Sequence, residues 1–404
     1  MLPPLSNEVL SQIATSFGTP VYVYHAEKIK EQHDRLLNAF VGTDVRFFYA
    51  AKALTNLNIL RYIKSIGCNI DCSSINEVRL AIHAGFEPGN ILYTSNNVHF
   101  SEIESAAELG VNINIDSLSN LEKFGKKFGH NYPVGIRIRP NIMAGGNLKI
   151  STGHANSKFG IPLEQIDKVL KLVKEYSIFI RTLHIHTGSE IKDVEVFVKG
   201  IEVLLEVAQS FPELEVIDLG GGFKVPYQPG EEGTDIELLG KKVKAAFDGF
   251  KEKYKRSFKV WFEPGKFLVS EAGHFITAVN VLKQSGPILF AGVDSGLNHL
   301  IRPMFYGAYH TIDNISNPHG VQKKYTVVGN ICETDTFAED RMLPEVQEND
   351  HLVFRNAGAY CFEMASNYNS RYKPAEVLVI NNSFHLIRKR DEQEDLLRSQ
   401  LTVL

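Results

Sequence analysis

The sequence predicts an α/β fold: a (β/α)8 barrel of the TIM type plus a mainly β C-terminal domain joined by the N-terminal strand. Three observations predict it. From residue 26, short apolar runs alternate with stretches of helical spacing. Eight such runs fall within roughly 240 residues, the usual size of a closed barrel. After Gly265 the texture changes to β-branched and aromatic segments separated by turns. Single strands alternating with single helices imply parallel pairing through right-handed crossovers. An open doubly wound sheet shares that alternation, but no strand here is followed by a convincing GxGxxG turn.

The expected barrel strands are 45–50 (VRFFYA), 69–72 (NIDC), 91–94 (ILYT), 111–116 (VNINID), 134–139 (VGIRIR), 179–186 (FIRTLHIH), 215–220 (EVIDLG) and 259–264 (KVWFEP). Helical spacing covers 56–66, 75–84, 100–109, 119–128, 163–176, 194–210 and 236–254. Ser74 and Glu77 have capping-box spacing at the start of one of these. The run VYVYH (21–25) precedes the barrel and is expected to join the C-terminal sheet, so that domain is discontinuous. The expected division is 1–25 with the β domain, 26–265 as the barrel and 266–404 as the β domain.

Composition narrows the function classes. The chain has 404 residues, 44% hydrophobic and 22% charged, which excludes disorder. Lys plus Arg number 43 against 47 Asp plus Glu, a net charge of −4, so there is no basic footprint for nucleic acid or an anionic membrane. Four cysteines are too few for a disulfide framework. No apolar run approaches the roughly 18 residues a membrane span needs, and MLPPLSNEVL lacks the features of a signal peptide. The expectation is a cytoplasmic enzyme without nucleic-acid or membrane partners.

In such barrels the chemistry sits at the C-terminal ends of the strands. The first strand delivers Lys52, flanked by alanines. A lysine after a strand is ordinarily a solvated surface residue, but a desolvated amine has a lowered pKa and can form a Schiff base. The sixth strand ends in HIHTGSE, with His184, His186 and Ser189, and the seventh in Gly220, Gly221 and Gly222. Glycine runs are often plain turns, yet a run at a strand-to-helix turn also suits a phosphate. The eighth ends in Glu263, Pro264 and Gly265. An amine, an aromatic ring, a phosphate nest and a carboxylate are what pyridoxal 5′-phosphate requires. The His184-x-His186 pair alone would also suit a metal-dependent hydrolase, but the first strand then lacks its histidines.

Seven motifs in order resemble the diaminopimelate decarboxylases, a branch of the fold-type III pyridoxal-phosphate decarboxylases that also include ornithine and arginine decarboxylases. They are FYAAKA (48–53), HIHTGS (184–189), GGG (220–222), EPGK (263–266), IRPMFYGAYH (301–310), ICETDTF (331–337) and NAGAY (356–360). The resemblance implies a barrel plus β domain and the removal of CO2 from meso-diaminopimelate to give L-lysine, or from a related amino acid such as ornithine or carboxynorspermidine. It implies that Lys52 carries pyridoxal 5′-phosphate, that His186 stacks on its ring and that Glu263 pairs with the ring nitrogen. Asp71 stands where relatives have a nearby carboxylate. Ser189, Gly221, Gly222 and Gly265 would hold the phosphate, with Tyr360 also at the cofactor. Arg302, Tyr306 and Glu333 match substrate-binding positions, and Cys332 matches the proton donor, supplied with Glu333 across a homodimer interface. Lys266 replaces an arginine that helps bind the distal carboxylate; lysine keeps the charge and loses the planar fork. No metal is implied. Cys68 and Cys72 read as packing residues.

Overall fold

The structure is a computed structural model that describes residues 2–140 and 157–403. The chain opens with α1 (Asn7–Phe17), β1 (Val21–His25) and α2 (Ala26–Ala39), and then alternates through β2 (Val45–Ala50), α3 (Leu57–Ser65), β3 (Asn69–Cys72), α4 (Ile75–His83), β4 (Ile91–Thr94), α5 (Phe100–Glu108), β5 (Asn112–Ile115), α6 (Leu118–Phe128) and β6 (Val134–Arg139). After the two-residue β7 (Ile161–Pro162) come α7 (Ile166–Tyr176), β8 (Ile180–His184), α8 (Val194–Val207), β9 (Val216–Asp218), α9 (Ile236–Tyr254) and β10 (Lys259–Phe262). Polar caps start these helices: Ser74, Ser117, Asp193 and Asp235 each accept a backbone N–H from the first turn. Glu77 completes its cap one residue early, accepting the N–H of Ser73 at 2.6 Å.

Strands β2, β3, β4, β5, β6, β8, β9 and β10 pair in parallel in that order, and β10 returns to β2, which closes the barrel. Phe48, Leu92, Val216 and Trp261 form one buried cluster. Side chains two residues apart on a strand share a face. The positions two residues beyond this apolar layer are Ala50, Thr94, Asp218 and Glu263, so the same face turns from apolar to polar toward the strand ends. The lower layer supplies the burial that holds the barrel, and the upper layer gathers polar side chains.

The barrel unit comprises Gln32–Val225 and Glu232–Phe267; the other unit comprises Met1–Glu31, Pro226–Glu231 and Leu268–Leu404. Lys266 and Phe267 thus fall with the barrel, while the first turn of α2 and residues 226–231 fall with the sheet unit. After α10 (Lys266–Val269), that unit contains β11 (Gly273–Ser285), β12 (Ile288–Val293), α11 (Arg302–Tyr306), β13 (Ile312–Asn314), β14 (Gln322–Val328), β15 (Thr336–Pro344), β16 (His351–Phe354), β17 (Ala375–Ile380), β18 (Ser383–Arg388) and α12 (Gln393–Leu397). Its sheet runs β15-β14-β12-β11-β1-β17-β18, with β16 also on β11. β1 pairs antiparallel with β11 and parallel with β17, so the N-terminal strand lies inside this sheet. Val21 and Val23 pack there on Leu10, Ile13, Ile276, Val353 and Val377.

Candidate active site

Lys52 sits in a single turn, Ala51–Ala53, directly after β2. The turn is fixed at both ends. The Tyr49 hydroxyl donates to the Leu54 carbonyl at 3.0 Å, and the Ala50 N–H donates to the Pro264 carbonyl at 3.1 Å. The second bond ties the lysine turn to the end of the Glu263 strand. The flanking alanines suggested a desolvated amine, and here the structure corrects the sequence: Ala51 and Ala53 are buried, whereas Lys52 is exposed. The turn buries the small side chains and lifts the long one out.

Three carboxyl groups meet on the inner face: Asp71, Asp218 and Glu263, at most 6% exposed. Burial and the charge of Glu263 push both aspartates well above the usual carboxylate range. Burial alone would raise Glu263 too, but the contact with His184 and the charge of Lys52 outweigh it and hold its carboxyl well below that range. Of the three, Glu263 carries the negative charge. His184 Nε2 lies 3.3 Å from Glu263 Oε1. The Thr94 hydroxyl donates to the same oxygen at 3.3 Å and accepts from Asn114 Nδ2 at 3.1 Å. Arg137, 6% exposed, adds a buried cation whose charge is felt by Glu263, Asp116, Asp71 and Asp218, and it packs 4.7 Å over the Phe159 ring. Sequence reasoning missed Arg137, Thr94 and Asn114. An arginine at an inward position of the apolar run VGIRIR was the available signal.

The glycine run is bare because nothing else fits. A Cβ on Gly220 would stand 2.6 Å from His186 Nδ1, on Gly221 2.2 Å from the Glu263 carbonyl, and on Gly222 2.1 Å from the Gly188 carbonyl. Gly220 and Gly222 also have positive φ, +65° and +99°. The Gly220 N–H donates to Asp218 Oδ1 at 3.0 Å and the Gly221 N–H to His186 Nδ1 at 3.1 Å. The amide of Gly221, a residue expected at the phosphate, donates to the histidine ring here. Burial, together with the charges of Arg137 and Lys52, holds His186 well below its ordinary value, so the ring is neutral.

Ser189 is half-buried on the loop after β8, and Gly265 is buried just before α10. Next to them, Lys266, 8% exposed, is ion-paired with Glu190. Glu190 adopts φ +62°, a backbone region that non-glycine residues rarely occupy and that clusters at functional sites. The cation read from EPGK as open for a distal carboxylate is therefore already balanced by the chain's own carboxylate.

The remaining expected residues lie in the sheet unit. Arg302 opens α11 and is 6% exposed, with its guanidinium 5.4 Å over Tyr227 and 5.8 Å over Tyr306. Cys332 and Glu333 are exposed. Asn369 Oδ1 accepts the Cys332 N–H at 3.0 Å, and the Tyr368 hydroxyl donates to Glu333 Oε1 at 2.7 Å. Tyr360 is half-buried at φ +57°. Tyr227, Tyr368 and Asn369 carried no sequence signal of their own, because each acts on a neighbour far away in the chain.

Two groups of ligand are suggested by these donors. His184, Asp218 and Glu263 place one nitrogen and two oxygens within 4.8 Å of one another, a set able to hold a cation. The second histidine of the HxH pair turns Nδ1 to Gly221 instead. Pyridoxal phosphate is accommodated by more of what is present. An exposed amine stands for its aldehyde, an ionised carboxylate for its ring nitrogen and a neutral flat imidazole for its ring face. Both oxygens of Asp71, 1% exposed, meet no donor at bonding geometry among the described residues.

The family model of the pyridoxal-dependent decarboxylase, pyridoxal binding domain, matches residues 26–270. The chain is 40% identical to the diaminopimelate decarboxylase of Methanothermobacter thermautotrophicus, over 96% of this chain and 93% of that one. It is 35% identical to the Escherichia coli K12 enzyme of the same name, over 98% and 97% of the two chains. The solved structure of diaminopimelate decarboxylase from Helicobacter pylori complexed with L-lysine superimposes with a TM-score of 0.88 at 32% identity, covering 96% and 98% of the two chains. The chain therefore belongs to the pyridoxal-dependent decarboxylases and, within them, to the diaminopimelate decarboxylases.

Proposed function

We propose that this protein decarboxylates meso-diaminopimelate to L-lysine with pyridoxal 5′-phosphate, and that the observation carrying the proposal is the ionised Glu263, flanked by the neutral Asp71 and Asp218, in the barrel that also presents Lys52. Lys52 would hold the cofactor through its ε-amine, with His186 against the ring, Glu263 at the ring nitrogen, and Ser189, Gly222 and Gly265 around the phosphate. Bound there, pyridoxal phosphate supplies an electron sink for the charge left when the carboxyl group departs. Glu263 is suited to keep a proton on the ring nitrogen because Asp71 and Asp218 stay neutral and do not compete for it.

At the far end of the substrate, Arg302 and Glu333 would grip a carboxylate and an ammonium. A second amino-acid group fits this pair, whereas the bare amine of ornithine would be repelled by Arg302. Loss of CO2 leaves the α carbon one proton short, and the thiol of Cys332 would supply it, recovering its own proton from water. Exposure of Cys332 and Glu333 on their unit leaves both open to a second chain, so we read the enzyme as a homodimer in which each thiol serves the partner's Lys52. Among the described residues no helix is long and apolar enough to cross a membrane; a cytoplasmic setting suits a small-molecule substrate of this kind. Incubation with meso-diaminopimelate should release CO2 and L-lysine in equal amounts. Much faster turnover of ornithine or carboxynorspermidine would reject the assignment.

A further inference from the structure

Thr94 closes β4 at a point where its hydroxyl has one acceptor and one donor role to fill, and both are filled by buried residues. Asn114 Nδ2, on the adjacent β5, donates to Thr94 Oγ1 at 3.1 Å. Glu263 is ionised and can only accept, so the hydroxyl proton goes to its Oε1 at 3.3 Å. The direction of the relay is thereby set: amide to hydroxyl to carboxylate. Thr94 is 9% exposed, Asn114 1% and Glu263 6%, so solvent does not easily substitute for any member. β6 is shaped around the relay, since a Cβ on Gly135 would lie 2.0 Å from Asn114 Oδ1. The contact from His184 Nε2 falls on the same oxygen, Oε1.

We propose that Thr94, anchored by Asn114, is a positioning residue for Glu263: it occupies Oε1 and so turns Oε2 toward the ring nitrogen of pyridoxal phosphate. The inference rests on the cofactor reading given above and adds a specific job for two residues that touch neither substrate nor cofactor in that reading. Asp71 lies nearby but is held in its neutral form by burial and by the charge of Glu263, so it is the weaker acceptor for the Thr94 proton. Without the hydroxyl, Glu263 keeps its charge and its contact with His184 but loses the hydrogen bond that, with that contact, fixes Oε1. A hydrogen bond to a charged group is worth on the order of tenfold or more in binding.

The test compares wild type with Thr94→Val, Thr94→Ser and Thr94→Ala. Each apoprotein is loaded with 15N-labelled pyridoxal phosphate, and three quantities are read: the ring-nitrogen chemical shift, the cofactor dissociation constant, and kcat and KM separately. Thr94→Val should move the nitrogen resonance toward neutral pyridine, weaken cofactor binding roughly tenfold and lower kcat more than KM, while Thr94→Ser restores all three. Should Thr94→Val fail to fold, Thr94→Ala carries the same expectations, with the Ser variant as the rescue. A wild-type nitrogen shift and dissociation constant in the folded Val or Ala variant would overturn the proposal. If the wild-type chain itself failed to bind the cofactor, the underlying reading would fall, and the inference with it.

Discussion

The backbone N–H of Gly221 donates to Nδ1 of His186 across 3.1 Å, and this one bond determines which nitrogen of the ring carries the proton. Nδ1 is an acceptor, and the ring is held neutral by burial and by Arg137 and Lys52, so the hydrogen resides on Nε2. A neutral ring with a fixed tautomer presents an unchanging face to whatever lies against it.

It follows that His186 should not titrate in the physiological range. In the apoprotein, long-range 1H–15N spectra should show the neutral Nε2–H pattern for His186 from pH 5.5 to 8. His186→Gln identifies the signal. An inflection near 6.5, the ordinary histidine value, would contradict the structure.

The Lys266–Glu190 pair makes a prediction about stability. Lys266 is nearly buried, so removing Glu190 alone strands an ammonium, which costs several kcal/mol when burial is complete and about 1–3 kcal/mol at this half-open mouth. Glu190→Gln and Lys266→Met should each lose stability in urea, and the double variant should recover much of the loss. Strictly additive effects would show that the two side chains do not interact. Lys266→Arg, which keeps the charge and adds a fork, should be tolerated.

Acid sensitivity should arise in the sheet unit. Burial pushes His274 down to about 3 and His299 down to about 4. In the unfolded chain each protonates near pH 6.5. Below that pH the unfolded chain binds more protons than the folded one, so stability is complete above about pH 6.5 and declines as pH falls. Each histidine contributes a slope approaching about 1.4 kcal/mol per pH unit. His274→Gln should flatten the fall in unfolding free energy between pH 6.5 and 4.5; a slope equal to wild type would refute the assignment.

Shared sites can be read from mixed dimers. Lys52→Ala and Cys332→Ala proteins should each be nearly inactive. After random exchange about half the dimers are mixed, and each mixed dimer has one site with both residues intact, which restores roughly a quarter of wild-type activity. With exchange verified by a tag, activity that stays at the level of the single variants would mean that Lys52 and Cys332 of the same chain work together.

The barrel was readable because its strands announce themselves twice, as apolar runs and as partners of capped helices. All eight runs appear as strands, and the trimming falls where the chemistry begins: β8 stops at His184, β9 at Asp218 and β10 at Phe262. Past those points the backbone leaves the ladder to aim side chains, which a periodicity of two does not encode. Lys52, His186 and Glu263 stood out in the sequence because strand ends in a barrel form a short inventory. Arg137, Thr94 and Asn114 were not found, since their roles exist only through contacts between different strands. Glu190 escaped for a different reason: nothing in GSE reveals that its backbone turns to φ +62° and its carboxylate meets Lys266.

β1 is flanked in its sheet by β11 on one side and β17 on the other. On the ribosome this order has a temporal meaning. The strand is made before either neighbour, and its parallel one begins at Ala375, some 350 residues after His25. At elongation rates of about 5–20 residues per second, that interval is roughly 20–70 s. β11 is made earlier, from Gly273, so one side of VYVYH gains its partner first and the other stays an open apolar edge until β17 emerges. A C-terminal truncation before β17 would leave that edge open for good.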